Sequence, residues 1–451
     1  MQQIIDTAVQ EIIQIIDSKK NSTNVAWQFI LEELDVAQHG TEFVVDRIQR
    51  FYINKSDYNG ALKNSWEDVD GSTGPQQYLL GVTSFVAEKT DFEIAAMVRI
   101  TIVEYVLKHY KFGRYFLNTE SKRANKPLAL FDIIAKPEKL NPNFKHILPE
   151  EYEPVRNVLN RWASGFEDRD NKFNHQFQET FNSSFWELYL FQCFKDLGME
   201  VDFTRASPDF TLNTNNGKRI NIEAVTANHA QDSIPEWDSN GKNLLEDKEF
   251  LNFSCVRLLN AIGSKSNKYF DTYEKYDHVK SSPYVIAVAP YEQPMFFFQN
   301  NEAIIRVLYA KGIDKSSGFS EVVVNQAIKN GTIPLELGIF TTDKFKHISA
   351  IIFSTTATLG KAITQTDLKR EIRSSWYHPF KGLVMEMKEN EIHFETHLDG
   401  LQIHHNPFAE KPLSLDEFSN YEITHYYYDP DTKVIDNQQK PYTLISRNVW
   451  G

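Results

Sequence analysis

The sequence predicts an α+β protein in which a mixed α/β sheet core follows an all-helical N-terminal region. Ile5, Val9 and Ile12 repeat with the period of an α-helix. A helix-like segment at 179–197 precedes short segments rich in β-branched and aromatic residues, which favour strands. The continuous apolar run at 284–289 is typical of a strand that is buried on both faces.

The length and composition predict a folded protein with more than one domain. The chain has 451 residues, of which 41% are hydrophobic and 24% charged. Residues 1–118 are predicted to form a helical N-terminal domain, which has a structural role or binds a partner. Residues 119–165 lose periodicity and contain five prolines, among them Pro137, Pro142 and Pro149, which indicates a connector. Residues 166–451 are the second predicted domain, a sheet core with a C-terminal β-rich extension.

Within the second domain, helices and strands are predicted from their periodicity. The segment 179–197 is expected to be an amphipathic helix, with Ser183 or Ser184 near its N-cap and Gly198 ending it. Short strands follow, of which the second and third form a hairpin. The predicted strands are 199–203, 209–212, 219–226, 284–289, 348–354, 383–388 and 391–396, and the predicted later helices are 243–269 and 301–311. The end of the chain, rich in Asn, Asp, Pro and Tyr, is expected to form long loops over the sheet.

The charge balance restricts how the chain can bind nucleic acid. It has 48 Lys and Arg against 61 Asp and Glu, a formal net charge of −13. A chain of this charge does not coat nucleic acid by bulk attraction, so any phosphate-binding surface is expected to be local.

The cysteines and the N-terminus predict a cytoplasmic protein. Cys193 and Cys255 both lie among apolar neighbours, which indicates buried free thiols in a reducing compartment. The N-terminal sequence has no basic segment followed by an apolar one, as a secretory signal would have. No run approaches the roughly 18 apolar residues of a membrane span, so no membrane association is expected.

Three carboxylates stand where a metal site can be built. Glu187 lies on the helix at 179–197, Asp209 opens one arm of the predicted hairpin, and Glu223 lies on the other arm. A turn near 215–217 would bring Asp209 and Glu223 to neighbouring positions. Magnesium prefers oxygen ligands such as these. Glu223 is flanked by Ile222 and Ala224, and a buried carboxylate needs a cation or hydrogen bonds.

The segments around these carboxylates resemble the core of the PD-(D/E)XK nuclease superfamily, which has the restriction-endonuclease-like fold. In chain order they read FWE at 185–187, LGMEV at 197–201, SPDF at 207–210 and INIEA at 220–224. The resemblance spans about residues 166–290. It implies that Glu187, Asp209 and Glu223 bind Mg²⁺, with Mn²⁺ as a substitute.

The sequence departs from the superfamily at one position. The resemblance implies a lysine two residues after the strand acid, where it supports the attacking water, but this chain has Val225 there. We expect Lys265, late on the helix predicted at 243–269, to supply the amine, with Asp209 and Glu223 as the other catalytic residues. Lysines late in helices are also common as surface charge. Lys218 at the hairpin turn is the alternative, and loss of catalysis is the remaining interpretation.

Polar and basic residues around the carboxylates are candidates for substrate binding. Arg169 and Lys172 suit phosphates, although a solvated helix entry with Arg169 paired to Asp168 or Asp170 explains them equally well. The predicted substrate-binding residues are Arg169, Lys172, Lys218, Thr226 and Lys268. Thr226 alternatively caps the end of its strand.

Other motifs give no further chemistry. His404 and His405 would point to opposite faces of an extended segment, so a structural turn is favoured over a zinc site. The sequence has no P-loop, no G-x-G-x-x-G after a strand, no HExxH and no G-x-S-x-G. Their absence weakens nucleotide hydrolysis, dinucleotide binding, zinc proteolysis and serine hydrolysis as functions.

The expected function is therefore a Mg²⁺-dependent endonuclease that hydrolyses phosphodiester bonds of DNA, with RNA left open and restriction or phage defence as a suitable setting. The alternative is a catalytically inactive nuclease-fold protein that binds nucleic acid or acts as a scaffold. A glycosidase fits the paired carboxylates but not the Pro-Asp hairpin. The helical N-terminal domain is expected to form a homodimer or to bind a partner protein.

Overall fold

A computed structural model describes residues 128–450 apart from short gaps at 215–216, 232, 239–248, 315–319, 367, 379–381, 392–394, 415, 421 and 440–442. All of these residues belong to one compact unit, Glu120–Gly451. The predicted helical domain at 1–118 lies outside the described residues. In the part of the chain that is described, no helix combines the length and the apolar character needed to span a membrane.

The described chain alternates helices and strands. The helices are α1 Pro142–His146, α2 Glu153–Trp162, α3 Phe173–Glu179, α4 Phe181–Asp196, α5 Glu249–Asp271, α6 Asp277–Lys280, α7 Glu302–Tyr309 and α8 Leu359–Ile363. The first strands are β1 Glu200–Val201, β2 Phe210–Asn213, β3 Arg219–Asn228, β4 Tyr284–Tyr291, β5 Lys311–Asp314, β6 Ser320–Val323, β7 Gln326–Lys329 and β8 Ile333–Glu336. The later strands are β9 Ala350–Phe353, β10 Arg370–His378, β11 Gly382–Glu391, β12 Gln402–His405, β13 Thr424–Asp429, β14 Val434–Asn437 and β15 Leu444–Trp450.

An eight-stranded mixed sheet forms the centre, in the order β1-β2-β3-β4-β9-β12-β13-β14. Strands β1, β2 and β3 are antiparallel, whereas β3, β4 and β9 run parallel to one another. Helix α4 packs on one face of the sheet, and α5 and α7 pack on the other. The prediction of a mixed α/β core is therefore confirmed.

The hairpin and the central strands form as their sequences predict. Phe210 of β2 pairs with Ile222 of β3, which confirms the antiparallel hairpin. Every residue of β4 is buried, as expected for an apolar strand with helices on both faces. The predicted strand at 348–354 is β9, and it lies beside β4 in parallel.

Helix α4 differs from its prediction in two ways. It begins at Phe181 after Thr180, so Ser183 and Ser184 lie inside it and do not cap it. It is also buried on nearly all sides rather than amphipathic, because α2 and α3 cover the side that faces away from the sheet. Gly198 ends the helix as predicted, with a left-handed φ of 71° that glycine adopts at low cost.

The described part of the predicted connector packs into the core of the sheet domain. The ring of Trp162 in α2 lies 5.7 Å from that of Phe185 in α4, centroid to centroid. Phe144 of α1 and Phe177 of α3 lie 6.0 Å apart and are both fully buried. No break in packing therefore falls at residue 166 within the described residues.

The C-terminal segment forms strands, so the expectation of long loops over the sheet is wrong. Strands β12, β13 and β14 extend the central sheet, and β15 forms a second sheet in the order β11-β10-β15. The predicted strand at 383–388 lies within β11, but Glu395 and Thr396 lie outside any strand. The aromatic rings explain the difference, because tyrosines and histidines that look polar in sequence stack inside the sheet.

A buried ion cluster ties β15 to α8. Both Lys361 of α8 and Arg447 of β15 contact Glu395, with nitrogen to carboxylate distances of 2.7 and 2.8 Å. Arg447 also donates hydrogen bonds to the Thr358 hydroxyl and to the Thr356 carbonyl oxygen. All three charged side chains are at most 1% exposed, so their charges are compensated by one another and by these main-chain and hydroxyl groups.

Candidate active site

The hairpin brings Asp209 next to β3. Asp209 lies immediately before β2, and its Oδ2 accepts a hydrogen bond of 2.8 Å from the main-chain N–H of Ala224. Ala224 follows Glu223 directly, so the two acids meet at the same point of the hairpin. This is the juxtaposition that the sequence predicts from a turn near 215–217.

Glu223 is fully buried and holds three donors. Its Oε1 accepts hydrogen bonds from Lys265 Nζ at 2.6 Å and from Lys268 Nζ at 2.8 Å. Its Oε2 accepts a hydrogen bond of 2.7 Å from the hydroxyl of Tyr273. Burial alone would raise the pKa of Glu223, but Lys265, Lys268 and Tyr273 outweigh it and hold that pKa below its usual value.

Both amines come from helix α5, whose period places residues three positions apart on the same side. Lys265 and Lys268 are three residues apart and therefore lie on one face of the helix. The helix ends at Asp271, and a 3₁₀ turn at Tyr273–Lys275 returns Tyr273 to the same carboxylate. The position of Lys265 agrees with its prediction, whereas nothing distinctive in the sequence marks Tyr273. Burial and the negative charge of Glu223 raise the pKa of Tyr273, so its hydroxyl stays a donor.

Glu187 and Asp209 influence each other electrostatically. Burial and the charge of Asp209 raise the pKa of Glu187 to about 8, with Arg169 and Lys265 acting in the opposite direction. Burial and the charge of Glu223 raise the pKa of Asp209 to about 6. Within the described part of the chain, no group donates a hydrogen bond to the Glu187 carboxylate. Burial and a neighbouring acid thus outweigh the nearby cations at both carboxylates.

The three acids of the site differ in whether their oxygens are already hydrogen-bonded to basic or hydroxyl side chains. Among the residues that the structure describes, no group of three histidine, cysteine or acidic side chains is arranged to hold a metal ion. Both Glu223 oxygens are engaged by Lys265, Lys268 and Tyr273. Glu187 and Asp209 fit Mg²⁺, which commonly takes one or two carboxylates and completes its shell with waters and substrate phosphate.

Arg169 lies against the loop that carries Asp209. Its guanidinium donates to the carbonyl oxygens of Arg205 and Asp209, the latter at 2.9 Å. The alternative in which Arg169 pairs with Asp168 or Asp170 is wrong, because these bonds direct it to the loop backbone. Asp168 instead accepts hydrogen bonds from main-chain N–H groups at the start of α3.

Three predicted substrate-binding residues contact other groups than the carboxylates. Lys172 Nζ lies 3.5 Å from a carboxylate oxygen of Asp170, and both side chains are exposed. Lys218 Nζ lies 3.6 Å from Glu417 at the hairpin turn, so it is not the amine that contacts Glu223. Thr226 shares a hydrogen bond of 3.0 Å with Ser183 of α4. Of the predicted basic residues, the structure thus brings Lys265, Lys268 and Arg169 to the acids.

The histidines and cysteines outside this site have structural contacts. His404 and His405 lie on strand β12 rather than in a turn, and they face opposite sides as predicted. His404 lies 3.2 Å from the Tyr309 hydroxyl, and His405 lies 3.0 Å from His425. Cys193 and Cys255 are buried free thiols, and burial raises the pKa of each.

Comparisons of the chain with protein-family models, with curated proteins and with solved structures find no match. The resemblance to the PD-(D/E)XK superfamily therefore rests on the sequence around Asp209 and Glu223. Any function is inferred from the chemistry of this site.

Proposed function

We propose that the chain is a metal-dependent nuclease that hydrolyses phosphodiester bonds of DNA. One observation carries the proposal: Lys265 Nζ lies 2.6 Å from Glu223 where Val225 leaves the strand without a lysine. The amine comes from helix α5, which packs on the same face of the sheet as Val225, and supplies the same positive charge. A buried acid paired with two amines beside a second acid suits phosphoryl chemistry, because developing negative charge needs fixed positive groups.

Glu187 and Asp209 are the residues that would hold Mg²⁺. When bound, Mg²⁺ supplies Lewis-acid polarisation of a phosphate and a bound water of lowered pKa. The support for this assignment is that no described group donates a hydrogen bond to Glu187, and that burial and a neighbouring acid raise the pKa of both Glu187 and Asp209. In this assignment Glu223 does not bind the metal but orients the amines of Lys265 and Lys268.

The remaining side chains fix the geometry. Tyr273 and the two lysines hold the Glu223 carboxylate from both oxygens, so it has no freedom to rotate. Arg169 steadies the loop that carries Asp209 through its main chain. Lys268 is the amine with the larger exposed fraction, 44% against 20% for Lys265. Lys268 is therefore available to a substrate phosphate, while Lys265 lies next to the reacting groups.

The second candidate is a nuclease-fold protein that binds nucleic acid without cutting it. The observation that favours it is the engagement of both Glu223 oxygens, which leaves two acids for a metal. Each function makes a distinct prediction for Mg²⁺: a nuclease binds it and cuts, whereas a binding protein needs none.

The test is cleavage of supercoiled plasmid, linear duplex, single-stranded DNA and RNA in the presence of Mg²⁺ or Mn²⁺. We expect cutting by the wild type and its loss in Asp209→Ala, Glu223→Ala and Lys265→Ala. Lys344→Ala is the matched control, because that exposed lysine pairs with Glu336 and is not among the predicted substrate-binding residues. Absence of cutting together with unchanged thermal unfolding on Mg²⁺ addition would favour the binding protein.

A further inference from the structure

Two stacked rings, those of Tyr276 and His278, follow helix α5. Tyr276 lies between the 3₁₀ turn at Tyr273–Lys275 and helix α6. It is exposed, with a relative accessibility of 38%. The ring of His278 stacks against it with a centroid distance of 5.6 Å and an interplanar angle of 10°. A ring that is exposed beside buried charged groups offers an apolar face to a ligand of those groups.

Hydrogen bonds fix this stack to the hairpin. His278 Nε2 lies 2.9 Å from the carbonyl oxygen of Ser207, two residues before Asp209. The Asn221 side-chain amide of β3 donates to the carbonyl oxygen of His278 at 2.9 Å. The main-chain N–H of Val279 donates to the carbonyl oxygen of Tyr276. The rings are therefore held in place before any ligand binds, which reduces the entropy cost of binding.

The stack adjoins the carboxylate and amine cluster. The ring centroid of Tyr276 lies 6.1 Å from that of Tyr273, whose hydroxyl donates to Glu223. Lys268 Nζ lies 5.0 Å from the Tyr273 ring centroid and also contacts Glu223. Moving outward from Glu223, a ligand would meet an exposed amine and then an exposed ring. This order suits a phosphate followed by a base.

The charge of this segment does not explain binding by itself. Residues 268–280 contain three lysines, Lys268, Lys275 and Lys280, and three acids, Asp271, Glu274 and Asp277. Their charges balance, so the segment offers no net attraction for a phosphate backbone. The rings are the part of this surface that can add affinity, because every nucleobase has a face that stacks on an aromatic side chain.

We propose that an unpaired nucleobase beside the scissile phosphate stacks on Tyr276 and His278, so that the substrate is single-stranded or carries a single-stranded stretch. This inference rests on the proposed nuclease function. Bases inside a duplex are already stacked and cannot reach a protein ring without being extruded. Stacking recognises the face of a base and not the sugar, so single-stranded DNA and single-stranded RNA share the chemistry that the two rings recognise.

The first test is binding without catalysis. The full chain in EDTA is titrated against labelled dT 20-mer, U 20-mer and a 20-base-pair duplex, with fluorescence anisotropy as the readout. We expect tighter binding of the single strands than of the duplex. Tyr276→Ala is expected to weaken single-strand binding about tenfold, from the usual contribution of one stacked base. Tyr276→Phe keeps the ring and is the matched control, expected to bind as the wild type does.

The outcomes separate this inference from the nuclease proposal. Unchanged single-strand affinity in Tyr276→Ala, or an equal loss on the duplex, would overturn the inference even if metal-dependent cutting is observed. A loss confined to the single strands supports the inference even if no substrate is cut, and the nuclease proposal would then fail alone. The relative affinity for the DNA and RNA 20-mers shows which of the two nucleic acids the chain binds more tightly. An unchanged melting temperature shows that Tyr276→Ala has folded.

Discussion

Lys265 Nζ donates a 2.6 Å hydrogen bond to Glu223 Oε1, although the two residues are 42 positions apart in the chain. The bond links helix α5 to the middle of β3 and places an amine beside Glu223. Two residues after Glu223, the strand itself has Val225 and no lysine. Lys268, one helical turn further on, adds a second amine to the same oxygen. The charge of the site thus depends on tertiary packing rather than on one strand.

Glu223→Gln is expected to lower the free energy of unfolding by about 2–4 kcal/mol, because it leaves two amines without their anion in a largely buried place. Equilibrium unfolding in urea at pH 7.5 measures this. Combining it with Lys265→Met tests the pairing, since the double variant is expected to lose less than the sum of the two single variants. Lys344→Met is the control, because Lys344 and its partner Glu336 are both exposed, and its change is expected within about 0.5 kcal/mol. Additive losses would show that the contact has no energetic weight.

Lys265→Met and Lys268→Met are expected to differ in activity. Lys265 is the less exposed amine, so its loss should lower kcat roughly 100-fold, as the removal of a fixed donor at developing charge commonly does. The loss of Lys268, which is more exposed and therefore more screened by water, should be roughly tenfold and should reduce the salt dependence of KM. Lys280→Met is the control on α6. Equal losses in both variants would contradict the assigned difference.

Asp209→Asn is expected to stabilise the metal-free protein while abolishing cutting. The charge of Asp209 raises the pKa of Glu187, and removing it relieves that repulsion, by about 1–2 kcal/mol at pH 7.5. The asparagine oxygen still accepts from Ala224. Differential scanning calorimetry in EDTA measures the gain.

The same variant tests the assignment of the metal ligands. Addition of Mg²⁺ should raise the Tm of the wild type and leave that of Asp209→Asn unchanged, because a ligand that binds only the folded state stabilises it. Glu187→Gln is expected to behave as Asp209→Asn does. A similar Mg²⁺ response in all three proteins would place the ion elsewhere.

The buried histidines predict a loss of stability in acid. Burial lowers the pKa of His404 to about 3 and that of His347 to about 4, against about 6.5 in the unfolded chain. The unfolded state therefore binds more protons below pH 6.5, and the free energy of unfolding falls as the pH drops from there towards 4. Each histidine contributes up to about 2 kcal/mol of this loss at pH 5.

Urea unfolding at pH 7.5, 6.0 and 5.0 measures the loss. In His347→Gln, the free energy of unfolding should fall less steeply with decreasing pH, by the amount that corresponds to one fewer proton taken up on unfolding. His347 lies 2.9 Å from the Ser266 hydroxyl, a contact that glutamine can replace. An identical slope in the variant would mean that His347 does not titrate with unfolding.

Gly360→Ala is expected to destabilise the protein by at least about 2 kcal/mol, because a methyl group there would overlap the Arg447 guanidinium in the buried ion cluster. Thermal and urea unfolding measure it. Gly263→Ala is the matched control within helix α5, where the added methyl meets no neighbour. That change should raise stability by up to about 1 kcal/mol, through the higher helix propensity of alanine. A loss of equal size in both variants would contradict the role assigned to the cluster.

The sequence carried the local part of the fold and of the site. The apolar run of β4, the hairpin that joins Asp209 to Glu223 and the glycine that ends α4 all follow from patterns within a few residues. The sequence also predicts Lys265 near the acids, because its helix is expected to pack beside the hairpin. Each of these features depends on periodicity or turn chemistry, which a sequence displays directly.

The features that the sequence did not predict depend on distant partners. Helix α4 looks amphipathic until α2 and α3 cover its outer side. Tyr273 is one tyrosine among 20, and only the turn after α5 directs its hydroxyl to Glu223. Lys218 is near the site in sequence but is drawn to Glu417, which lies about 200 positions further along the chain. Tertiary contacts of this kind leave no periodic signal.

The contacts of Arg447 determine when the core can close during synthesis. Its partners Thr356 and Thr358 precede it by 91 and 89 residues, and it also contacts Glu395. A nascent chain that has not yet released residue 447 from the ribosome has this carboxylate without Arg447 beside it, and β10 without its neighbour β15. The final step of folding therefore waits for the end of translation of this segment, and C-terminal truncation before Arg447 is expected to yield an aggregation-prone chain with an unpaired sheet edge.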